Sequence, residues 1–152
     1  MHGDVKTENV LVQANPTDAN QPRVTLIDFG TDRLRSRTVA SNGHTGLLAV
    51  YGSPKTVAPE LVRGRAADPK TDVYAFGAVL FELLTGKPVF IHESATDAAF
   101  AHLSSEPEPP STRAPRGLVS RDIDAFVLSL LNKDPARRPK DATAVLDALE
   151  SI

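Results

Sequence analysis

Acidic and amide side chains, together with one lysine, are concentrated near the start of the chain. Asp4, Lys6 and Asn9 lie within six residues of one another, and Asp28 follows after a second apolar run. Carboxylate and amide oxygens with one lysine are the groups that bind a hard Mg²⁺ ion and the phosphates it carries. If two short strands hold these side chains near one edge, their chemistry is that of phosphoryl transfer.

Two short β-branched runs flank a turn-rich segment, and they are expected to position these residues. Residues 10–12 and 24–27 are separated by a stretch rich in Asn, Pro and Asp, which predicts a small β-hairpin with a long loop. Residues 28–52 show neither helical nor strand periodicity and contain three arginines and several hydroxyl residues. Structureless loops of that length are uncommon in compact domains, so we expect a functional loop.

Helical spacing of apolar residues predicts helices in the rest of the chain. The first runs from Thr71, as its N-cap, to about residue 84 and ends at Gly86. It is apolar nearly all round and is expected to be the buried core axis. Further helices are predicted at residues 94–103, between Leu118 and residue 131, and around residues 142–149, with proline-containing breaks between them. The sequence therefore predicts a mainly α fold with a small β-hairpin.

Composition excludes several classes of protein. The chain has 152 residues, of which 41% are hydrophobic and 24% charged, as in an average soluble domain. A net charge of -2 argues against a nucleic-acid partner. Cysteine is absent, which excludes disulfides and thiolate metal sites. No apolar stretch is long enough to cross a bilayer, and we expect a cytoplasmic protein.

Six short motifs occur in the order in which they occur in protein kinases, and the chain resembles the C-terminal lobe of a Ser/Thr protein kinase. The motifs are His2-Gly3-Asp4 with Asn9, Asp28-Phe29-Gly30, Gly52-Ser53-Pro54, Ala58-Pro59-Glu60, Asp72-Val73-Tyr74-Ala75-Phe76-Gly77, and Asp134-Pro135 with Arg138-Pro139. The resemblance implies a partial kinase domain over residues 1–152, with a catalytic loop at 2–9, an activation segment at 28–60 and a helical subdomain at 70–150.

The resemblance gives the residues around the catalytic loop specific roles with ATP and Mg²⁺ as cofactors. Asp4 would accept or orient the proton of the acceptor hydroxyl, and Lys6 would neutralise charge on the γ-phosphoryl group. Asn9 and Asp28 would hold Mg²⁺, and Leu11 would form the floor under the adenine. The resemblance therefore implies an enzyme that transfers the γ-phosphoryl group of ATP to hydroxyl groups of proteins.

Other residues have specificity or structural roles by the same resemblance. Ser53 lies in the loop that faces the protein substrate, and together with the lysine of the catalytic loop it resembles Ser/Thr kinases and not tyrosine kinases. Glu60 is matched to an ion-pair partner of Arg138. Asp72 is matched to a residue that bonds back to the catalytic loop, and His2 to one that packs near Phe29.

Two departures from the family pattern affect what is expected of the chain. Gly3 occupies the position where many kinases have an arginine that pairs with a phosphorylated activation loop, so we expect little dependence on such a phosphate. The Gly-rich phosphate loop, the strand lysine and the first large helices of the family are absent from the sequence, and a truncated catalytic domain is the leading hypothesis. The alternative is a catalytically inert fragment that acts as an interaction module. In either case the exposed face of the core would be covered by a missing N-terminal lobe or a docking partner.

Several residues also have ordinary structural interpretations. Taken singly, Asp4 or Asp28 would be a turn or cap aspartate, and only their joint spacing favours a site. The histidines show no spacing typical of metal ligands and are expected to be packing or surface residues; they are His2, His44, His92 and His102. The proline-rich residues 107–115 are interpreted as a loop between helices, with a polyproline II ligand as the alternative.

Overall fold

A small antiparallel sheet precedes a set of helices in the computed structural model, which describes residues 1–18, 21–29 and 53–152. Strand β1 spans Val10–Gln13 and strand β2 spans Arg23–Leu26, and their register pairs Val10 with Leu26. The predicted hairpin is therefore confirmed. Most of the loop expected at 28–52 lies outside the described residues.

The described helices account for most of the remaining chain. The α-helices are α1 (Pro59–Val62), α2 (Pro69–Thr85), α3 (Ala95–Ser104), α4 (Arg121–Leu130) and α5 (Ala142–Glu150), and the 3₁₀ turns are Thr7–Asn9, Pro110–Thr112 and Pro135–Arg137. A helix-rich chain with a small two-stranded sheet agrees with the predicted fold class. None of the helices in the described residues combines the length and the apolar character needed to cross a membrane.

The N-cap of helix α2 lies three residues earlier than predicted. Asp68 and not Thr71 is the N-cap: its carboxylate accepts hydrogen bonds from the backbone N–H groups of Lys70 and Thr71. The Thr71 hydroxyl accepts in turn from the Asp68 N–H at 3.1 Å, which completes a capping box. Pro69 suits the first helical position because that position has no intrahelical acceptor for its N–H. The end of the helix at Gly86, which has a φ of 71°, is as predicted.

Helix α2 is the axis of the core, as its apolar sequence predicts. Tyr74 and Phe81 on this helix are fully buried with Leu130 and Leu131. Gly77 permits the close approach, since a Cβ atom there would lie 2.8 Å from the Cβ of Leu130. Helices α2 and α4 can therefore pack almost backbone to backbone at this point.

One side of helix α2 remains open to solvent. Phe76 and Leu83 are exposed to 37% and 67%, although the sequence around them is almost continuously apolar. The hairpin is similarly open, with the side chains of Leu11, Val12 and Val24 exposed. The expectation of a partly uncovered core face is thus met in the described residues.

The other long helices begin after serine or aspartate caps, and one start differs from the prediction. The hydroxyls of Ser94 and Ser120 accept from backbone N–H groups of α3 and α4, and Asp141 does the same for α5. Leu118 lies before the Ser120 cap and is exposed. Its assignment to the amphipathic helix was wrong, because the serine hydroxyl fixes the helix start two residues later.

Candidate active site

The first side chains singled out by the sequence come together around one carboxylate. The Lys6 ammonium donates to Oδ2 of Asp4 at 2.5 Å, and the Asn9 amide donates to the same oxygen at 3.2 Å. Asn9 also donates to the Asp4 backbone carbonyl at 2.8 Å. The 3₁₀ turn Thr7–Asn9 produces this arrangement because it folds the amide back over the aspartate. We call these three residues the Asp4 cluster.

Two residues outside the Asp4 cluster hold its backbone in place. The carboxylate of Asp72, in the first turn of α2, accepts from the backbone N–H groups of His2 and Gly3, the latter at 2.8 Å. His2 accepts the Asp4 N–H on Nδ1 and donates from Nε2 to the Ile27 carbonyl at 2.9 Å. These bonds connect the loop to helix α2 on one side and to the end of β2 on the other.

The hairpin brings Asp28 to the same edge as Asn9. The Ile27 N–H donates to the Asn9 carbonyl at 3.0 Å, so Asp28 is the next residue beyond a backbone bond to the Asp4 cluster. Asp28 adopts a φ of 62°, which is uncommon for a non-glycine residue and turns the chain sharply there. Phe29 then packs on His2, with ring centroids 4.3 Å apart.

These oxygen donors fit a Mg²⁺ ion that also carries phosphates. The Asn9 nitrogen is committed to Asp4, so its amide oxygen is the atom left for ligation. Proteins typically provide only one or two oxygen ligands to a Mg²⁺ ion that carries phosphates, and water and phosphate oxygens provide the rest. One amide oxygen and one exposed carboxylate match that number. A cage made of protein alone is not expected in that case. Among the described residues, no three His, Cys, Asp or Glu side chains are grouped so that they could hold a metal ion.

Two further predicted residues lie at the margins of this edge. Ser53 and Asp4 line one small cavity together with Thr56 and Asp72, so the serine is brought beside the Asp4 cluster. Leu11 is 45% exposed in the middle of β1, where it is paired with Thr25. It is close in sequence to the cluster but has no cover within the described residues.

The expected ion pair between Glu60 and Arg138 is present and buried. The guanidinium donates to both carboxylate oxygens at 2.8 and 2.9 Å, and the Thr71 hydroxyl donates to Oε1 at 3.1 Å. Burial alone would raise the pKa of Glu60, but the bonds from Arg138 and the charge of the guanidinium outweigh it and lower the pKa. The pair joins α1 to the segment that precedes α5.

A second buried polar group lies beside this ion pair, and sequence reasoning did not find it. The hydroxyl of Tyr74 is 2.9 Å from Nδ1 of His102, and the Lys133 ammonium is 3.3 Å from the same hydroxyl and 2.9 Å from the His102 carbonyl. Burial, followed by the charge of Lys133, lowers the pKa of His102 to about 3. Burial also lowers the pKa of Lys133 to about 8. We call Tyr74, His102 and Lys133 the His102 network.

Stability is expected to fall as the pH decreases from 6.5, because His102 has a pKa near 6.5 when unfolded and about 3 when folded. Between these values the unfolded state binds more protons, so acid favours unfolding by roughly 2 kcal/mol for every 1.5 pH units. Glu60 adds to the loss only at lower pH, where its carboxylate protonates. Urea unfolding of wild type and His102→Gln at several pH values between 6.5 and 4.5 measures this slope.

The same slope in both proteins would contradict this assignment. His92→Gln is the matched control: that histidine is exposed and its charge is the smallest cause of the lowered pKa of His102, so its replacement should change the pH dependence only slightly.

Comparison with known proteins gives one consistent result over the whole chain. The family model for the "Protein kinase domain" matches residues 1–149. The serine/threonine-protein kinase pkn3 of Myxococcus xanthus is 35% identical over 153 aligned positions, which cover 100% of this chain and 27% of that protein. Serine/threonine-protein kinase PknB is 40% identical in Mycobacterium tuberculosis and 37% identical in Mycolicibacterium smegmatis, with 93% of this chain and 21% of each relative covered. The chain thus spans about a quarter of the length of these relatives or less.

Proposed function

The chain belongs to the protein kinase family, and on that premise we propose that it is part of the catalytic domain of a serine/threonine protein kinase. The proposed reaction is transfer of the ATP γ-phosphoryl group to Ser or Thr hydroxyls of a protein. The observation that carries the proposal is the Asp4 cluster, anchored by Asp72 and His2 and adjoining Asp28. The proposed domain covers the catalytic loop at 2–9, the activation segment at 28–60 and the helical subdomain at 70–150.

The proposed mechanism uses the carboxylate of Asp4 as the proton acceptor. A bond forms between the substrate hydroxyl oxygen and the γ-phosphorus, the bond from that phosphorus to the bridging oxygen of ADP breaks, and the hydroxyl proton passes to Asp4. Lys6, already bound to Asp4, is within reach of the charge that moves with the phosphoryl group. The chemistry depends on positioning and on electrostatic stabilisation, since the protein forms no covalent bond to the phosphate.

Mg²⁺ would bind the amide oxygen of Asn9 and the carboxylate of Asp28, and when bound it neutralises charge on the phosphates. Leu11 would lie under the adenine, since its exposed position on β1 offers an apolar surface near Asn9. Ser53 would lie beside the acceptor hydroxyl, because it shares a cavity with Asp4. Ser53 and Lys6 support a Ser or Thr acceptor, because both resemble the residues that Ser/Thr kinases have at these positions.

The open side of α2 and the hairpin favours a second candidate, an interaction module without catalysis. Phe76, Leu83 and Val12 are exposed apolar residues that a partner would cover. A kinase domain in which an upstream lobe covers this face would satisfy the same observation. The intact set of Asp4, Lys6 and Asn9 supports the enzyme, because a docking surface has no physical need of it.

Transfer assays on two proteins separate these candidates. One is residues 1–152 alone, and the other is the same residues fused behind the upstream part of the kinase domain of M. tuberculosis PknB. We expect no transfer from the first, because its described residues include no group that would clamp the phosphates from above, and transfer from the second. The measurement is incorporation of radiolabelled phosphate into a generic acceptor protein.

Two results would contradict the proposal in different ways. Transfer by residues 1–152 alone that disappears in Asp4→Asn would show that the upstream part is not needed. An inert fusion, measured beside an active intact PknB domain, would favour the interaction module.

A further inference from the structure

Lys133 carries an amine that no carboxylate pairs with in the described part of the chain. The residue is only partly exposed, and none of the ion pairs among the described residues includes it. An ammonium that leaves water is normally paired with an acidic side chain, because the loss of its hydration is costly. The proposed phosphoryl transfer makes no use of this amine, so it is a nucleophile without an assigned role.

Two hydrogen bonds and two aromatic rings hold the amine in place. It donates to the His102 carbonyl at 2.9 Å and to the Tyr74 hydroxyl oxygen at 3.3 Å. It also lies 4.7 Å from the ring centroid of Phe90 and 5.7 Å from that of Tyr74. An ammonium group has three N–H donors, and these two bonds use two of them. Loss of the third proton therefore breaks neither bond and gives the nitrogen a free electron pair.

The charges near the amine favour its neutral form on balance. The guanidinium of Arg138 lies 4.7 Å from the Tyr74 ring and donates to the Lys133 carbonyl at 3.4 Å. Arg63 adds to its effect, and the carboxylate of Glu106 opposes both. The other two members of the His102 network are neutral at pH 7, because burial raises the pKa of the tyrosine and lowers the pKa of the histidine.

Burial is the largest cause of the shift, and it lowers the pKa of Lys133 to about 8. At pH 7 the neutral fraction of this amine is then on the order of 10²-fold greater than that of an ordinary lysine. A less basic amine is also a weaker nucleophile, so the net gain in reaction rate is smaller, about tenfold or more.

We propose that Lys133 is a site of covalent acylation: its amine, held against two rings without an acidic partner, attacks the carbonyl carbon of an activated acyl donor. A bond forms between the nitrogen and that carbon, and the bond from the carbon to the phosphate or thiolate leaving group breaks. The leaving group departs with the electron pair, and the nitrogen loses one proton to water. Acyl phosphates and acyl thioesters both supply this carbonyl chemistry. The proposal is independent of the kinase function.

Acylation should weaken the connection between helix α3 and the segment that precedes α5. The amide nitrogen keeps a single N–H, so the bond to the His102 carbonyl or the bond to the Tyr74 hydroxyl is lost. The attraction of the positive charge to the two rings is lost as well. We therefore expect the chain acylated at Lys133 to unfold at a Tm about 2 to 8 °C lower.

The proposal is tested by trace acetylation of the wild-type 152-residue chain, so that no variant has to fold. Acetyl phosphate and acetyl coenzyme A are used in separate reactions, and a reaction with only one of them identifies the source of the acyl group. Peptide mass spectrometry compares the rate at Lys133 with the rates at Lys87 and Lys140, which are exposed. At pH 7 we expect Lys133 to react about tenfold faster or more. Its rate should level off above a pH of about 8, whereas the rates at the two reference lysines should continue to rise.

Three results would overturn the proposal. One is a rate at Lys133 no greater than the rates at Lys87 and Lys140 with both donors. Another is an advantage that persists in concentrated urea, because it would come from the neighbouring sequence and not from the folded contacts. The third is an unchanged Tm after acetylation at Lys133, with a Lys133→Arg chain treated in the same way as the control for acetylation elsewhere. The labelling requires no kinase activity, so an inert fusion protein contradicts only the proposed function.

Discussion

Asp4→Asn is expected to reduce kcat for phosphoryl transfer by on the order of 10²- to 10⁴-fold in the fused kinase, the usual contribution of a general base. The asparagine has nearly the same shape, so it can still accept a bond from the Asn9 amide, but it cannot take the proton of the acceptor hydroxyl. It also removes the charge that pairs with Lys6. Initial rates of radiolabelled phosphate transfer at saturating ATP measure the effect.

Glu8→Gln provides the control, since Glu8 lies in the 3₁₀ turn with Asn9 but is exposed, and its carboxylate accepts a hydrogen bond from the Thr7 hydroxyl. We expect this variant to keep its rate within about twofold, because no reacting group is removed. Thermal unfolding of both variants shows whether either has lost its fold. A well-folded Asp4→Asn protein that retains a tenth or more of the wild-type rate would exclude Asp4 as the proton acceptor.

Local signals made much of the fold predictable. The β-branched runs and the turn residues of the hairpin define its two strands, and serine or aspartate caps define three helix starts within a residue or two. The start of α2 was misplaced because both Asp68 and Thr71 are good cap residues. Only the pair of reciprocal bonds between them shows that Thr71 is the third helical residue.

The candidate site was predictable to the extent that its residues belong to short motifs. Asp4, Lys6 and Asn9 are close in the chain, so their spacing alone suggests a common position. The kinase resemblance predicted contacts between residues that are far apart in the sequence, which spacing alone cannot predict. Two of these contacts, from Asp72 to the catalytic loop and from Arg138 to Glu60, are present in the structure. Family membership is confirmed by the comparisons, whereas the roles of the individual residues remain predictions.

The His102 network could not have been predicted in this way. Tyr74 lies on α2, His102 on α3, and Lys133 in the segment between α4 and α5. Their spacing in the sequence does not suggest an interaction. His102 was expected to be a packing or surface residue, and it does pack, with Phe90 and Tyr74 at ring distances of 5.0 and 5.6 Å. What distinguishes it is Nε2, which is buried and has no hydrogen-bond partner among the described residues. That property depends on tertiary burial and has no signal in a single sequence.

Glu60→Ala is expected to lower the free energy of unfolding by roughly 3 to 5 kcal/mol, because it leaves the buried Arg138 without its counter-charge. Arg138 is 4% exposed, lies 4.7 Å from the Tyr74 ring and also donates to the Asn132 carbonyl at 2.7 Å. The guanidinium therefore cannot reach water without breaking further contacts. Arg138→Ala should cost a similar amount for the same reason, since it strands the Glu60 carboxylate.

The double variant Glu60→Ala with Arg138→Ala gives the coupling between the two residues. We expect it to be destabilised by less than the sum of the single variants, because each single change already loses the pair. Glu108→Ala is the matched control: its ion pair with Arg113 has a similar distance of 3.1 Å, but its carboxylate is 60% exposed, and an exposed pair contributes about 1 kcal/mol or less. Urea unfolding of the four variants and wild type at pH 7 measures all of these values. If Glu60→Ala costs no more than Glu108→Ala, the buried pair does not fasten α1 to the segment before α5, and other contacts must hold α1 to the helices.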